Sequence, residues 1–267
     1  MYKMFYGLEF NPFDKSLDTK LHFKSQDFTE ALSRLEYLKS IKGIGLFSGG
    51  AGTGKTFTLR HFASTLNPSL FKVVYIPLST ITVMEFYRNL SFGLGIEPSF
   101  KKTDMFRSIQ ETLISLCRDK RINTVIIFDE AQYLRTEILN DLKILLNFDL
   151  DSKNYVTCIL VGLPILNVIL SKNIHEPLRQ RIVINYHFTG ITKEEVTEYI
   201  KTRLSKAGCH QEIFNQSAVE AIYGCSNGSV RKLNSLLVKC LIIGTQQKKQ
   251  VIDTDIVMAA QNEIEIN

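Results

Sequence analysis

Apolar residues in this chain fall into two regimes. Through the first two thirds they gather in short unbroken runs. These are Ile44 to Phe47, Val73 to Leu78, Val125 to Phe128, Val156 to Val161 and Ile182 to Tyr186. Runs this short and continuous predict strands covered on both faces. Between the runs the spacing turns helical. Phe28, Ala31, Leu32, Leu35 and Leu38 make one stripe, and Phe57, Leu59, Phe62, Ala63 and Leu66 make another. Further helices are predicted over Val83 to Leu94, Asp104 to Cys117 and Glu137 to Leu146, with a Gly/Pro loop over Gly95 to Lys102. Strands alternating with helices predict a parallel five-stranded sheet flanked by helices, an α/β architecture.

After Gly190 the runs stop. Lys193 to Lys206, Gln216 to Tyr223, Val230 to Ile243 and Asp253 to Gln261 carry helical spacing, and Val251-Ile252 is the one strand candidate there. Thr192 followed by Glu195 is a capping box, which predicts a helix start. The expected organisation is an aromatic-rich arm over 1–24, an α/β domain over 25–189 and a small all-helical domain over 190–267.

Composition narrows this picture only slightly. The chain has 267 residues, 45% hydrophobic and 22% charged, which is ordinary for a globular protein. A net charge of +5 tolerates a polyanionic partner without demanding one. The five cysteines form no C-x-x-C pair, so reduced, mostly buried thiols are expected. No leader-like opening and no apolar run of about 20 residues is visible, so a cytoplasmic protein without a membrane span is expected.

The candidate chemistry changes the picture more. Gly49-Gly50-Ala51-Gly52-Thr53-Gly54-Lys55-Thr56 fits G-x-x-x-x-G-K-[ST] in full and lies between a predicted strand and a predicted helix. Glycines let backbone N–H groups curl around a phosphate, and the helix start adds partial positive charge there. Gly50, Ala51, Gly52, Thr53, Gly54, Lys55, Thr56 and Phe57 are the candidate nucleotide contacts. Lys55 would reach the outer phosphates of ATP, and the Thr56 hydroxyl would bind Mg²⁺. The run Val125 to Phe128 ends in Asp129-Glu130. A strand of the same sheet would bring Asp129 beside the loop to hold Mg²⁺. Glu130 would then polarise the attacking water. Alone, two such acids could equally cap a turn.

The loop, Phe128-Asp129-Glu130 and the helical tail together resemble an AAA+ ATPase. Gly228-Ser229-Val230-Arg231 is similar to that family's sensor 2 motif, which implies that Arg231 touches the γ-phosphate. Arg179 and Arg181 precede the fifth run. They read either as finger arginines completing a neighbour's site, Arg181 slightly preferred, or as a solvated basic turn. Finger arginines would imply a homo-oligomer, ring or filament. Asn11-Pro12-Phe13, Asp129-Glu130-Ala131-Gln132 and Leu178 to Ile182 look like the ExeA/GspA-type ATPases over nearly the whole chain. That group includes secretion ATPases and short companions of DDE transposases, the latter similar to target selectors of the Mu B and TnsC kind. The length of this chain favours the transposition reading.

For such a selector, resemblance places sequence-independent contacts to double-stranded DNA on Ser79 to Thr82 and Ser99 to Thr103, with Thr80, Thr82, Lys101, Lys102 and Thr103 as candidates. Solvated loops are the plainer reading. Phe10, Pro12 and Phe13 either wall the adenine or pack in a core. One departure stands out: the fourth run ends Val161-Gly162-Leu163-Pro164, with no polar residue at the usual sensor 1 place. The expected function is therefore an ATP hydrolase that assembles on target DNA and regulates a transposase. A secretion-pathway ATPase and a nucleotide-gated scaffold with little turnover are the alternatives.

Overall fold

The computed structural model describes residues 1–14, 23–77, 81–148 and 153–264. The elements run α1 (Tyr2–Phe5), α2 (Gln26–Ile41), β1 (Gly43–Gly49), α3 (Lys55–Thr65), β2 (Phe71–Ile76), α4 (Val83–Leu94) and α5 (Lys102–Arg118). They continue with β3 (Asn123–Phe128), α6 (Thr136–Leu145), β4 (Val156–Gly162), α7 (Ile165–Ser171), α8 (Glu176–Arg179) and β5 (Ile182–Phe188). The last four are α9 (Lys193–Lys206), α10 (Gln216–Ser226), α11 (Val230–Gln246) and α12 (Thr254–Ile264). By contact the chain divides into two compact units. One holds 30–49 and 55–188, and the other holds 1–29, 50–54 and 189–267.

The first unit is built on five strands in the order β2-β3-β4-β1-β5. Every neighbouring pair is parallel. The continuous apolar runs have a simple cause, because the sheet is buried on both sides. In β3, Ile126 and Phe128 face one layer while Val125 and Ile127 face the other. Cys158 and Leu160 alternate with Ile159 and Val161 in β4 in the same way. Helices α4, α5, α6 and α7 cover the first face, and α2 and α3 cover the second. Each large side chain taken out of water in this way contributes roughly 1.5–3 kcal/mol before conformational entropy is counted. That burial holds the strand ends, and whatever they carry, in fixed places.

Helix starts follow local chemistry. Thr82 and Glu85 form a reciprocal capping box at the start of α4, and Gly95 ends that helix in the left-handed conformation, φ 77°. The Gly95 to Lys102 loop is one residue shorter than predicted. Lys102 and Thr103 lie in the first turn of α5, because Met105 N–H already closes a helical bond to the Lys101 carbonyl.

The second unit is helical. The capping box at Thr192 and Glu195 forms as predicted. Val251-Ile252 contributes a single parallel bridge, Ile252 with Phe214, rather than a strand. The aromatic arm supplies part of this unit's core. Tyr6, Leu8 and Phe13 are buried among α9, α10 and α11 residues. Phe13 packs on Tyr199 at 6.5 Å between ring centres, and the Tyr6 hydroxyl donates to the Lys249 carbonyl at 2.9 Å. All five cysteines are free thiols. Among the described residues, no helix is long and apolar enough to cross a membrane.

Candidate nucleotide site

Within the sheet unit the acidic residues sit where β3 ends. Asp129 is 5% exposed. Its Oδ2 accepts from the Thr56 hydroxyl at 3.2 Å and from the Tyr75 hydroxyl at 2.8 Å, and its Oδ1 accepts from Glu130 N–H at 3.0 Å. Its own N–H donates to the Ile76 carbonyl of the adjoining strand at 3.1 Å. Burial, and then the bond to Asp129, push the Tyr75 phenol well above its ordinary range, so it stays a donor at neutral pH. Lys55 opens α3, is 7% exposed, and donates from Nζ to the Gly49 carbonyl at 2.7 Å.

Glu130 follows in the left-handed conformation, φ 53° and ψ 37°. A residue with a Cβ rarely adopts this backbone shape, and such shapes persist where surrounding structure over-determines them. The conformation turns the glutamate out of the strand direction. Gln132 Nε2 then donates to Glu130 Oε2 at 2.6 Å.

In the helical unit, loop residues 50–54 lie on the first turn of α11. The Ser229 hydroxyl donates to the Ala51 carbonyl at 2.9 Å, and Arg231 N–H to the Gly52 carbonyl at 3.4 Å. Thr53 closes the loop on itself, its hydroxyl donating to the Gly50 carbonyl at 2.9 Å. Gly52 has φ 78°, and a Cβ there would stand 2.5 Å from Ser229 Oγ and 2.7 Å from Arg231 Cβ. Only glycine permits both the loop shape and the close approach of α11. Asn227, also left-handed at φ 48°, ends α10 and sets the turn that starts α11.

The residues present suit ATP and Mg²⁺. Thr56 and Asp129 offer two hard oxygen donors already within hydrogen-bond range of each other, the kind of ligand Mg²⁺ takes. Lys55 is a buried cation, held by a backbone carbonyl at the mouth of an eleven-residue helix without acidic residues in its first turn. Such a helix start favours anions.

Residues 38–170 match the family model described as an AAA domain. The chain carries an AAA+ ATPase module. ATP with Mg²⁺ is what such a module uses, and ATP hydrolysis is its reaction. The chain is also similar to general secretion pathway protein A of Aeromonas hydrophila, at 31% identity over 265 residues. That match covers 97% of this chain and 48% of the relative, so the chain spans about half the relative's length. Among solved structures, Cdc6p from Pyrobaculum aerophilum superposes with a TM-score of 0.70 at 16% identity, covering 96% of this chain and 72% of that one. The ORC1 protein of Aeropyrum pernix in complex with DNA gives 0.64 at 20% identity, covering 93% and 68%. Both share the AAA+ fold.

The remaining candidates are scattered around this module. Arg179 is exposed and donates to the Ser171 carbonyl at 2.8 Å, while Arg181 donates to the Lys143 carbonyl at 3.0 Å. Thr82 is engaged in its capping box, Lys101 is the exposed residue before α5, and Lys102 pairs with Asp141 at 2.6 Å. Thr103 is exposed beside Asp104, Phe100 is 93% exposed, and Thr80 lies outside the described residues. Motif reading had no place for the roles of Tyr75, Gln132 and Ser229. Ser229 and Gln132 stood inside quoted motifs without a task. Tyr75 is the one hydroxyl-bearing side chain on β2, a pattern with no motif attached to it.

Proposed function

We propose that this chain is an ATP-gated regulator that assembles on double-stranded DNA and presents it to a DDE transposase. The observation that carries the gating is the fastening of the phosphate loop's own carbonyls to Ser229 and Arg231 at the start of α11. A nucleotide entering that loop must be read by the same helical turn, with the Arg231 guanidinium as the group that answers the γ-phosphate. Glu130 is the base, Lys55 neutralises phosphate charge, and Thr56 and Asp129 hold Mg²⁺. Hydrolysis then releases the turn and, with it, the assembly.

Assembly of like subunits needs an arginine that reaches a neighbour. Each arginine donates to a backbone carbonyl, and Arg179, the exposed member of the pair, serves that role better than the half-buried Arg181. Lys101 and Thr103 stand at the start of α5 beside the exposed Phe100, where cations and hydroxyls suit phosphate contacts without base readout. A protein of this fold has been solved with DNA bound. A cytoplasmic location accompanies this reading.

The 31% identity to a general secretion pathway protein favours a second reading, an ATPase that energises assembly of an envelope complex. Electron microscopy of the protein with duplex DNA and a non-hydrolysable ATP analogue separates the two. Rings or filaments on DNA, lost when Lys101 and Lys102 are both changed to Glu, are expected. Free particles, with an ATPase rate indifferent to DNA, would overturn the DNA reading.

A further inference from the structure

The fourth strand brings no polar side chain to the site: β4 ends at Gly162, followed by Leu163 and Pro164. What it does bring is a backbone N–H. Leu163 N–H donates to Gln132 Oε1 at 3.0 Å, while the same amide's Nε2 donates to Glu130 Oε2 at 2.6 Å. The chemistry fixes which way the amide points. A peptide N–H only donates and an ionised carboxylate only accepts, so the oxygen must face Leu163 and the nitrogen must face Glu130. Gln132 is 8% exposed, and an added Cβ at Gly162 would collide with its Oε1. The missing side chain on β4 is thus the space that Gln132 fills.

We infer that Gln132 is a positioning residue for hydrolysis, tying Glu130 to the end of β4 in place of a polar residue on that strand. It holds Glu130 Oε2 and leaves Glu130 Oε1 to meet the water. It also links the base to the phosphate loop's own strand, because β4 pairs with β1 in register, Ser48 opposite Gly162, one residue before Gly49. A shift of β1 is felt at Leu163 N–H and passed through one amide to Glu130. The left-handed backbone at Glu130 keeps the two side chains within reach across a single short turn.

This inference rests on Glu130 being the base, and the experiment keeps the two apart. Steady-state ATPase and binding of a fluorescent ATP analogue are measured for Gln132→Met, Gln132→Glu, Gly162→Ala and Glu130→Gln. Gln132→Met keeps the volume and loses both bonds. It is expected to lower kcat about 10- to 100-fold with KM and nucleotide affinity within about twofold. Gln132→Glu keeps an acceptor for Leu163 but places a second carboxylate against Glu130. It no longer donates to Glu130, so kcat should fall as it does in Gln132→Met. Gly162→Ala touches neither acid and should mimic Gln132→Met. Loss of hydrolysis in Glu130→Gln together with wild-type kcat in Gln132→Met and Gly162→Ala would overturn the role of Gln132 alone. Retained hydrolysis in Glu130→Gln would overturn the base assignment and this inference with it. A lowered kcat in Gln132→Met accompanied by an equal loss of nucleotide affinity would also count against it, since a purely structural lesion gives that result.

Discussion

Two turns of this module present charged side chains, and they are built differently. The turn after β3 presents Asp129 and Glu130, and the turn before α11 presents Arg231. Each contains one non-glycine residue in the left-handed region: Glu130 at φ 53° and Asn227 at φ 48°. Asparagine adopts that conformation readily, whereas glutamate does so at a cost. The difference lies in what stands behind each turn. The acidic turn follows a strand whose last five residues are buried and whose end is hydrogen-bonded to β2. It can hold an unfavourable backbone shape. The basic turn is a junction of two helices, held by a serine cap and a loop carbonyl. There, a residue suited to the shape is used. Strain is kept where the sheet can hold it, at Glu130, the proposed base.

The largest test of that contrast removes the proposed base. Glu130→Gln should leave nucleotide binding intact and lower turnover by at least about 100-fold, measured by phosphate release. Truncating the support comes next. Phe128 is fully buried and stacks on Phe86 at 5.7 Å, so Phe128→Ala should cost about 3–5 kcal/mol in denaturant unfolding. An unchanged midpoint would mean that the acidic turn does not depend on its strand. Relieving the strain should act in the opposite direction: Glu130→Gly is expected to stabilise the fold by about 1 kcal/mol, while Asn227→Gly stays within about 0.5 kcal/mol of wild type. Equal effects at the two positions would mean that the two turns store the same strain.

Tyr75 gives the smallest effect. Its folded pKa is raised above the ordinary phenol value of 10, by burial first and by Asp129 second. A raised pKa favours the protonated, folded form. The contribution is therefore complete below pH 10 and is lost as pH rises further. Urea unfolding at pH 9 and pH 11 should show a steeper decline for the wild type than for Tyr75→Phe. Parallel declines would mean that neither burial nor Asp129 raises the phenol's pKa.

Much of the module is legible in the amino-acid sequence, for reasons that are local. The five strands are short continuous apolar runs because both faces of a parallel sheet are covered. The loop from Gly49 to Thr56 announces itself because cradling a phosphate demands particular residues at fixed spacing. Asp129-Glu130 follows an apolar run because a strand end is where a carboxylate can be both fixed and reachable. The capping box at Thr192 is a four-residue property. What the tertiary structure decided involves residues far apart in sequence. Tyr75 meets Asp129 because β2 and β3 are neighbours in register. Ser229 meets Ala51 across 178 positions. Gln132 reaches Leu163 because Gly162 leaves room, so the gap on β4 that looked like a missing sensor is filled from another turn. Side-chain type and spacing determined where a nucleotide can bind. Strand order and the volume of single side chains decided which neighbours hold its reacting groups, because hydrogen bonds of about 3 Å depend on packing that no linear pattern encodes.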